Sequence, residues 1–411
     1  MKRIITLALA ACMIFGAAFN ASAADIKASG GFWVGYDYVN TDNTGKTNDF
    51  IQRFRAQIDI IASENLSGTV FFEINNTWGQ ANGKVGPGSG GALGADGVNV
   101  QTRRAYIDFV IPQTAVKVRA GIQGLALPGA VLGSPVLADD VAAIVASGAI
   151  NPNISLTGFF ARPYDADESQ TTIDLFGGIV NADLGMVNVS PYFVFANAGD
   201  KAQKGSSNQG DLTFNEDAQW YGVALEVTPM PNLILSLDGV YGKASGTDAG
   251  FLVAGKAAYT TDYFVPAIVG WYASGNDSDG EGLMPTIDGQ DFAPATLVGE
   301  GATGITSDAI FGDALGKWGV SLQADEITFI ERVSHTVRVT YVRGTNDDSK
   351  DIKNWGEDDS AVEFDLVTTY SMYDNLDFIV DLAYVATDFD DGAAEDVDDV
   401  FKAGILAQYS F

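Results

Sequence analysis

The sequence predicts an all-β fold closed into a transmembrane antiparallel β-barrel. Three observations carry this reading. Apolar and polar residues alternate with a period of two along segments of about ten residues. Short and long connections between those segments also alternate. The composition, with 47 Gly, 24 Phe, 15 Tyr and 6 Trp, favours strands and turns. Of the 411 residues, 53 are acidic and 23 are Lys or Arg, giving a formal charge of −30 and a pI near 4.1. Such a chain repels phosphate backbones, so no nucleic acid partner is expected. A single Cys excludes a disulfide framework and any Cys-rich metal site. A single His excludes a His-based zinc cluster and leaves only His335 for a Ser-His-Asp triad.

At the N-terminus, Lys2 and Arg3 precede an apolar stretch from Ile4 to Phe19, and Ala21-Ser22-Ala23 has the small-x-small form of a cleavage site. Residues 1–23 therefore read as a secretory signal peptide, and residues 24–411 as one domain, with no second domain, linker or short repeat. Leu9-Ala10-Ala11-Cys12 also resembles a lipoprotein box that would lipidate Cys12, but the apolar stretch continues through Met13, Ile14 and Phe15. Beyond residue 23 no window approaches the 18 or so apolar residues of a membrane helix. The remaining choice is a soluble β-protein or a membrane-spanning barrel.

Periodicity favours the barrel. Phe50, Gln52, Phe54, Ala56, Ile58 and Ile60 oppose Arg53, Arg55, Gln57 and Asp59. Val70, Phe72, Ile74, Asn76 and Trp78 oppose Glu73, Asn75 and Thr77. Val362, Phe364, Leu366, Thr368 and Tyr370 oppose Glu363, Asp365 and Thr369, and Leu376, Phe378, Val380, Leu382 and Tyr384 oppose Asp377 and Asp381. Charge thus keeps to one face. Segments of about ten residues suit a tilted membrane strand better than a soluble one of about five or six. Trp33, Trp78, Tyr263, Trp271, Trp318 and Tyr373, at segment ends, suit interfacial girdles.

Seven short links are legible, at 63–65, 112–115, 182–185, 229–232, 260–262, 331–334 and 373–375. Eight mostly longer Gly/Asp/Asn/Ser-rich segments alternate with them, at about 40–48, 80–98, 125–170, 198–216, 244–249, 275–316, 346–360 and 389–397. Together they join 16 strands with both termini on the short-turn side, the asymmetry of short periplasmic turns and long external loops.

The last segment places Phe401, Ala403, Ile405, Ala407, Tyr409 and Phe411 on one face. A final strand ending Tyr409-Ser410-Phe411 after a signal peptide resembles the assembly signal of Gram-negative outer-membrane proteins. Next, Val116 to Gln123 alternates with Lys117, Arg119 and Gln123 on its polar face, followed by about 46 residues, 125–170, before the strand from Ile173. Within them Leu137 to Val145 has helical residues behind the pair Asp139-Asp140. This order resembles the trimeric general porins of the Gram-negative outer membrane, whose third external loop folds into the barrel, although the acidic motif usual in that loop is not seen here.

The resemblance implies a homotrimer in the outer membrane, in contact with lipid and lipopolysaccharide, passing small hydrophilic solutes and ions. It also implies a constriction where a basic ladder faces acidic groups of the inward loop. Arg53, Arg55, Arg104, Lys117 and Arg119 share the polar phase of their segments and supply the ladder; Asp139 and Asp140 would stand opposite. The competing reading pairs these cations structurally with Asp59 or Asp108. Arg338 is expected to pair locally.

No catalytic site is expected. Ser334-His335 lies in a predicted turn without His-x-Ser spacing. The Gly-rich run 86–97 lacks the Lys-Ser/Thr of a phosphate loop. Asp277-Ser278-Asp279-Gly280 lacks the Glu that closes a calcium loop and reads as an Asx-type turn. No cofactor is implied. The acidic runs at 347–359 and 390–396 read as solvated loops at the outer mouth, where a divalent cation could bridge them to lipopolysaccharide. Two further functions fit the same barrel: a structural or adhesive protein with a plugged lumen, or a solute-specific channel.

Overall fold

In a strand the side chains point alternately to the two faces, so a period-two sequence closed into a barrel has an outside and an inside of opposite character. A computed structural model of the chain describes residues 24–41, 45–79, 91, 100–165, 171–200, 202, 212–288, 292, 294–297, 314–347, 355–389 and 399–411. The predicted signal peptide, 1–23, lies outside the described residues, as does nearly all of the Gly-rich run 86–97.

Eighteen strands follow one another: β1 (Asp25–Thr41), β2 (Gly45–Ser63), β3 (Leu66–Thr77), β4 (Gln101–Val110), β5 (Lys117–Ala126), β6 (Ala138–Asn151), β7 (Ile154–Tyr164), β8 (Ile173–Asp183) and β9 (Val187–Ala198). The second half is β10 (Ala218–Met230), β11 (Leu233–Ala244), β12 (Gly250–Tyr259), β13 (Val265–Ala273), β14 (Lys317–Ile330), β15 (Val333–Gly344), β16 (Ser360–Tyr373), β17 (Leu376–Asp388) and β18 (Val400–Ser410). Each pairs antiparallel with its sequence neighbours, and β1 closes on β18, from Gly31 opposite Ser410 to Thr41 opposite Val400. Closure leaves no sheet edge between those residues, which is what lets a sheet stand in hydrocarbon.

Burial is inverted relative to a soluble protein. On β16, Phe364 and Leu366 are 49% and 37% exposed while Glu363 and Asp365 are 0% and 3% exposed. On β13, Ile268 and Tyr272 are exposed while Val269 and Trp271 are buried. An exposed apolar exterior around a partly charged interior is the surface of a barrel that sits in lipid. Trp78, Tyr263 and Tyr373 are exposed, as girdle residues should be. Trp33 and Trp271 are not girdle residues: Trp33 packs inward against the buried pair Ile51 and Leu406, and Trp271 joins the inner core.

Two strands more than the expected 16 come from one place. The segment 125–170 is not a single loop, because β6 and β7 form a hairpin inside it, turning at Pro152-Asn153. The stretch from Leu137 to Val145, with its helical composition, is strand from Ala138 onward. Alanine is tolerated in both states, and here pairing decides: β6 lies along β5 from Lys117–Ser147 to Ala126–Ala138, which fixes it as strand. All seven short links are found, and the turn at 152–153 is the eighth. His335 lies on β15 rather than in a turn, its Nδ1 2.9 Å from Thr368 Oγ1.

The largest apolar core sits inside the barrel. The connection between β5 and β6, residues 127–137, turns inward, burying Leu127, Val131, Val136 and Leu137. Gly129 and Gly133 make it compact: a Cβ on Gly129 would stand 2.2 Å from the Gly133 backbone. Among the described residues of the connection between β13 and β14, Met284, Ile287, Phe292 and Leu297 are buried in the same core. The two meet where Ile287 and Asp288 both donate their N–H groups to Val136 O at 3.0 Å, and Ala138 N donates to Asp288 O at 2.8 Å. Most of the expected loop 125–170 is thus strand, and only its residues 127–137 pack inside the barrel, beside residues 284–288.

The seam depends on the last residue. Gly30 and Phe411 exchange both backbone hydrogen bonds at 3.0 Å, and the Phe411 ring stacks with Tyr409 and Phe54 and packs on Phe32, with centroids 6.1 to 6.4 Å apart. Each aromatic pair contributes about 0.5–1.5 kcal/mol and each hydrogen bond about 1 kcal/mol. Deleting Phe411 should lower the yield of folded, heat-modifiable barrel several-fold, read by gel mobility before and after boiling. An undiminished yield would show that closure does not depend on Phe411.

Candidate functional site

The polar face of β2 carries Arg53, Arg55, Gln57 and Asp59 in sequence, because their odd positions share the inner phase. The next strand contributes Glu73, whose carboxylate gathers three of the arginines: Arg55 Nε donates at 2.6 Å, Arg103 Nη1 at 3.3 Å, and Arg53 Nε lies at 3.9 Å. Arg103 was not among the expected ladder residues. A bulge explains it: Phe71 faces Arg104 while Phe72 faces Thr102, so Arg103 is the extra residue, and two consecutive arginines reach one neighbourhood. No strict alternation in the sequence could reveal this.

Asp139 and Asp140 stand beside the arginines, not across the lumen from them. They open β6, opposite Leu125 and Gly124 of β5. Arg103 Nε donates to Asp140 Oδ2 at 2.7 Å and Arg104 Nε to Asp140 Oδ1 at 2.5 Å, while Arg103 Nη2 lies 3.6 Å from Asp139. The expected opposition required the acids to hang from a loop; the β6 strand places them on the same wall.

Further along that wall, Arg119 makes a bidentate pair with Asp108, both bonds 2.8 Å, and Lys117 Nζ lies 3.3 Å from the same carboxylate. This is the local structural pairing that competed with the ladder reading. Asp59, the other candidate partner, is instead held by Gln57 Nε2 at 3.1 Å and Thr69 Oγ1 at 2.7 Å.

Aromatic faces back the guanidinium groups. Arg55 lies 5.9 Å from the Trp33 ring centroid, Arg104 5.6 Å from Phe71, and Arg119 4.2 Å from Tyr106. Held between a ring and a carboxylate, Arg55, Arg104 and Arg119 have few orientations open to them. Even so, the side chains keep between 14% (Arg53) and 36% (Arg104) of their surface exposed. The wall therefore presents six cations, Arg53, Arg55, Arg103, Arg104, Lys117 and Arg119, with five acids interleaved, Asp59, Glu73, Asp108, Asp139 and Asp140.

A second charged cluster lies on β15 to β18 and β1. Lys402 Nζ is 3.3 Å from Asp381 and 3.9 Å from Asp37. Arg338 stands directly opposite Asp365 in the β15–β16 register. With Glu363, these four acids outnumber Lys402 and Arg338, so the acidic counterpart of the basic wall comes from the sheet itself.

At the outer end, Gly280 N bonds Asp277 O at 2.8 Å and Glu281 N bonds Asp279 Oδ1 at 3.2 Å, so the Asp277–Gly280 stretch is an ordinary turn with an Asx link. Asp359 is not a solvated loop acid: it is buried, and its Oδ2 accepts from Gly356 N at 2.8 Å. Asp348, Asp351, Asp390, Asp391, Glu395 and Asp396 lie outside the described residues. Among the described residues no group of three or more His, Cys, Asp or Glu side chains is arranged to hold a metal.

Glu73 is the shared counter-charge, with a side chain 8% exposed. Breaking a buried pair leaves uncompensated charge, here moderated by the partial exposure of the arginines, so Glu73→Gln should cost about 1–3 kcal/mol. The measurement is the urea midpoint of unfolding in detergent; an unchanged midpoint would mean that the arginines find water equally good.

No family model matches this chain, and no curated protein matches it. Among solved structures it is similar to Pseudomonas aeruginosa OccK2 (OpdF), with a TM-score of 0.62 and 12% identity over 94% of this chain and 98% of that one. It is likewise similar to Acinetobacter baumannii OccAB1, at 0.61 and 14% over 95% and 99%. The P. aeruginosa outer membrane protein OpdK gives 0.59 and 9% over 94% and 98%. These neighbours are outer-membrane channels of the OprD/Occ family, whereas the sequence was read as resembling the general trimeric porins. At such identities the likeness is one of fold, and with the lipid-facing exterior it supports the outer-membrane localisation expected from the sequence.

Proposed function

We propose that this protein is an outer-membrane channel through which small hydrophilic solutes diffuse past a wall of arginines, with a preference for anions. The observation that supports it most is the placement of Arg53, Arg55, Arg103, Arg104 and Arg119 on adjoining inner faces, each fixed by a carboxylate and still partly exposed. A structural barrel gains nothing from aligning five arginines along a lumen, whereas a permeating solute meets them at contact distance. The net charge of −30 draws cations to the outer mouth. Screening limits that field to about 8 Å at physiological salt, while the inner wall acts through a lower effective dielectric. The wall therefore governs selectivity. The inward residues 127–137, with 283–288, 292 and 294–297, favour a narrow, solute-selective channel over a wide general pore. Assembly as a homotrimer and contact with lipopolysaccharide remain part of the proposal.

The apolar packing of those two segments inside the barrel also favours the second reading, a plugged barrel with a structural or adhesive role. Conductance of the purified protein in planar bilayers separates the two: stable ion-conducting steps support the channel, and a silent barrel supports the plug.

Selectivity is tested in a salt gradient. Replacing Arg104 and Arg119 with Gln should move the zero-current potential toward cations, lowering the anion-to-cation permeability ratio at least about fivefold, since a unit charge about 4 Å away is worth about 1 kcal/mol even at the dielectric of bulk water. Neutralising the outer residues Glu216 and Asp358 should move it less. A larger shift from the outer pair would show that the arginines do not line the path.

A further inference from the structure

We infer that Asp238 is the latch that holds the constriction segment 127–137 across the lumen, and so sets how steadily the channel stays narrow; this rests on the channel reading above. Asp238 lies on β11, five strands round the wall from β6, where the segment ends. Its neighbour Leu237 is 46% exposed on the lipid face, while Asp238 itself is 5% exposed on the inner face. Its carboxylate accepts from Ala130 N at 2.8 Å (Oδ1) and 3.0 Å (Oδ2), and from Val131 N at 2.7 Å.

These two N–H groups sit at the tip of the segment. Its base is fixed by the barrel and by Leu127 N bonding to Leu137 O at 3.0 Å, and its second limb by the bonds between Val136 and residues 287–288. Ser134 Oγ ties only the local chain, accepting from Val136 N and Leu137 N at 3.2 and 3.3 Å. The tip is held through Val131, which is buried in the inner apolar core and packs without directionality, and through Asp238. A carboxylate accepting two adjacent backbone N–H groups is a charge-assisted, directional anchor, and it is the one such contact the described residues give the tip. Losing it would leave the buried Val131 N–H and the half-buried Ala130 N–H without an acceptor, a state the segment would relieve by swinging its tip toward solvent. Val131 alone gives no such penalty for leaving. Asp238 is thus a positioning residue: it lines no part of the arginine wall, and acts on permeation through where it holds residues 130 and 131.

The test uses two readouts. In the wild-type barrel, hydrogen exchange at the Ala130 and Val131 amides should be as slow as at strand amides of β5 and β6, a measurement that needs no variant. In Asp238→Asn, which keeps shape but loses charge and one acceptor, exchange at those two amides should rise at least about tenfold while strand amides hold. Single-channel recordings of this variant should then show frequent transitions to a larger conductance level, and Asp238→Glu should restore part of the quiet behaviour. Fast exchange at Ala130 and Val131 in the wild type would overturn the latch. Deprotected amides with an unchanged conductance trace would overturn its control of the channel. A wild-type barrel whose two amides are protected but which conducts no ions would leave the anchor standing and overturn the channel reading itself, and with it the role assigned to Asp238 in permeation.

Discussion

A strand that crosses hydrocarbon has to place each backbone N–H and C=O against a partner, because no water is there to take them, and an unsatisfied group costs several kcal/mol. The rest of this structure follows from that constraint. It requires the sheet to return upon itself, so β1 must find β18, and the last residue, Phe411, is paired with Gly30 rather than left as a tail. Closure in turn separates a lipid-facing exterior from the barrel interior, and forces the period-two segregation seen on β13 and β16.

Once an interior exists, its polar groups become the means of building within it. Carboxylates do most of this. Glu73, Asp108 and Asp140 order the arginines of the basic wall. Asp238 accepts from the tip of one inward segment, and Glu363 Oε1 accepts from Leu297 N of the other at 2.6 Å. Trp220, fully buried, adds a neutral anchor by donating to Pro285 O at 2.7 Å. An acidic chain is thus not only a charged exterior: several of its acids are the acceptors on which cations and loop backbones are positioned. The interior divides accordingly, with charge concentrated on β2 to β6 and on β15 to β18, and apolar packing under the inward segments between them.

Much of the architecture was legible because alternation is a local property. The phases of β2, β3, β16 and β17 follow directly from the positions of Phe54, Ile74, Phe364 and Val380, and six of the seven short turns from their Gly, Pro, Asn or Asp residues, the link 331–334 having none. The lumen-facing arginines were legible for the same reason. The β6–β7 hairpin was not, because its Ala-rich run has no strong preference of its own and Pro152-Asn153 is a weak turn signal beside the Gly- and Pro-rich residues 128–135.

What the sequence determined by itself was the class of fold and the sign of each face, since both depend on residues two apart on one strand. What only the tertiary structure decided was partnership. That Asp140 stands beside Arg103 and Arg104, that Trp33 faces Arg55 rather than lipid, and that the 130–131 backbone finds Asp238 more than a hundred residues away all depend on register, on a bulge in β4, and on how loops cross a closed space. Electrostatic and hydrogen-bond energies fall away within a few ångströms, so their outcome is set by distances between strands, and those distances exist only once the barrel has closed.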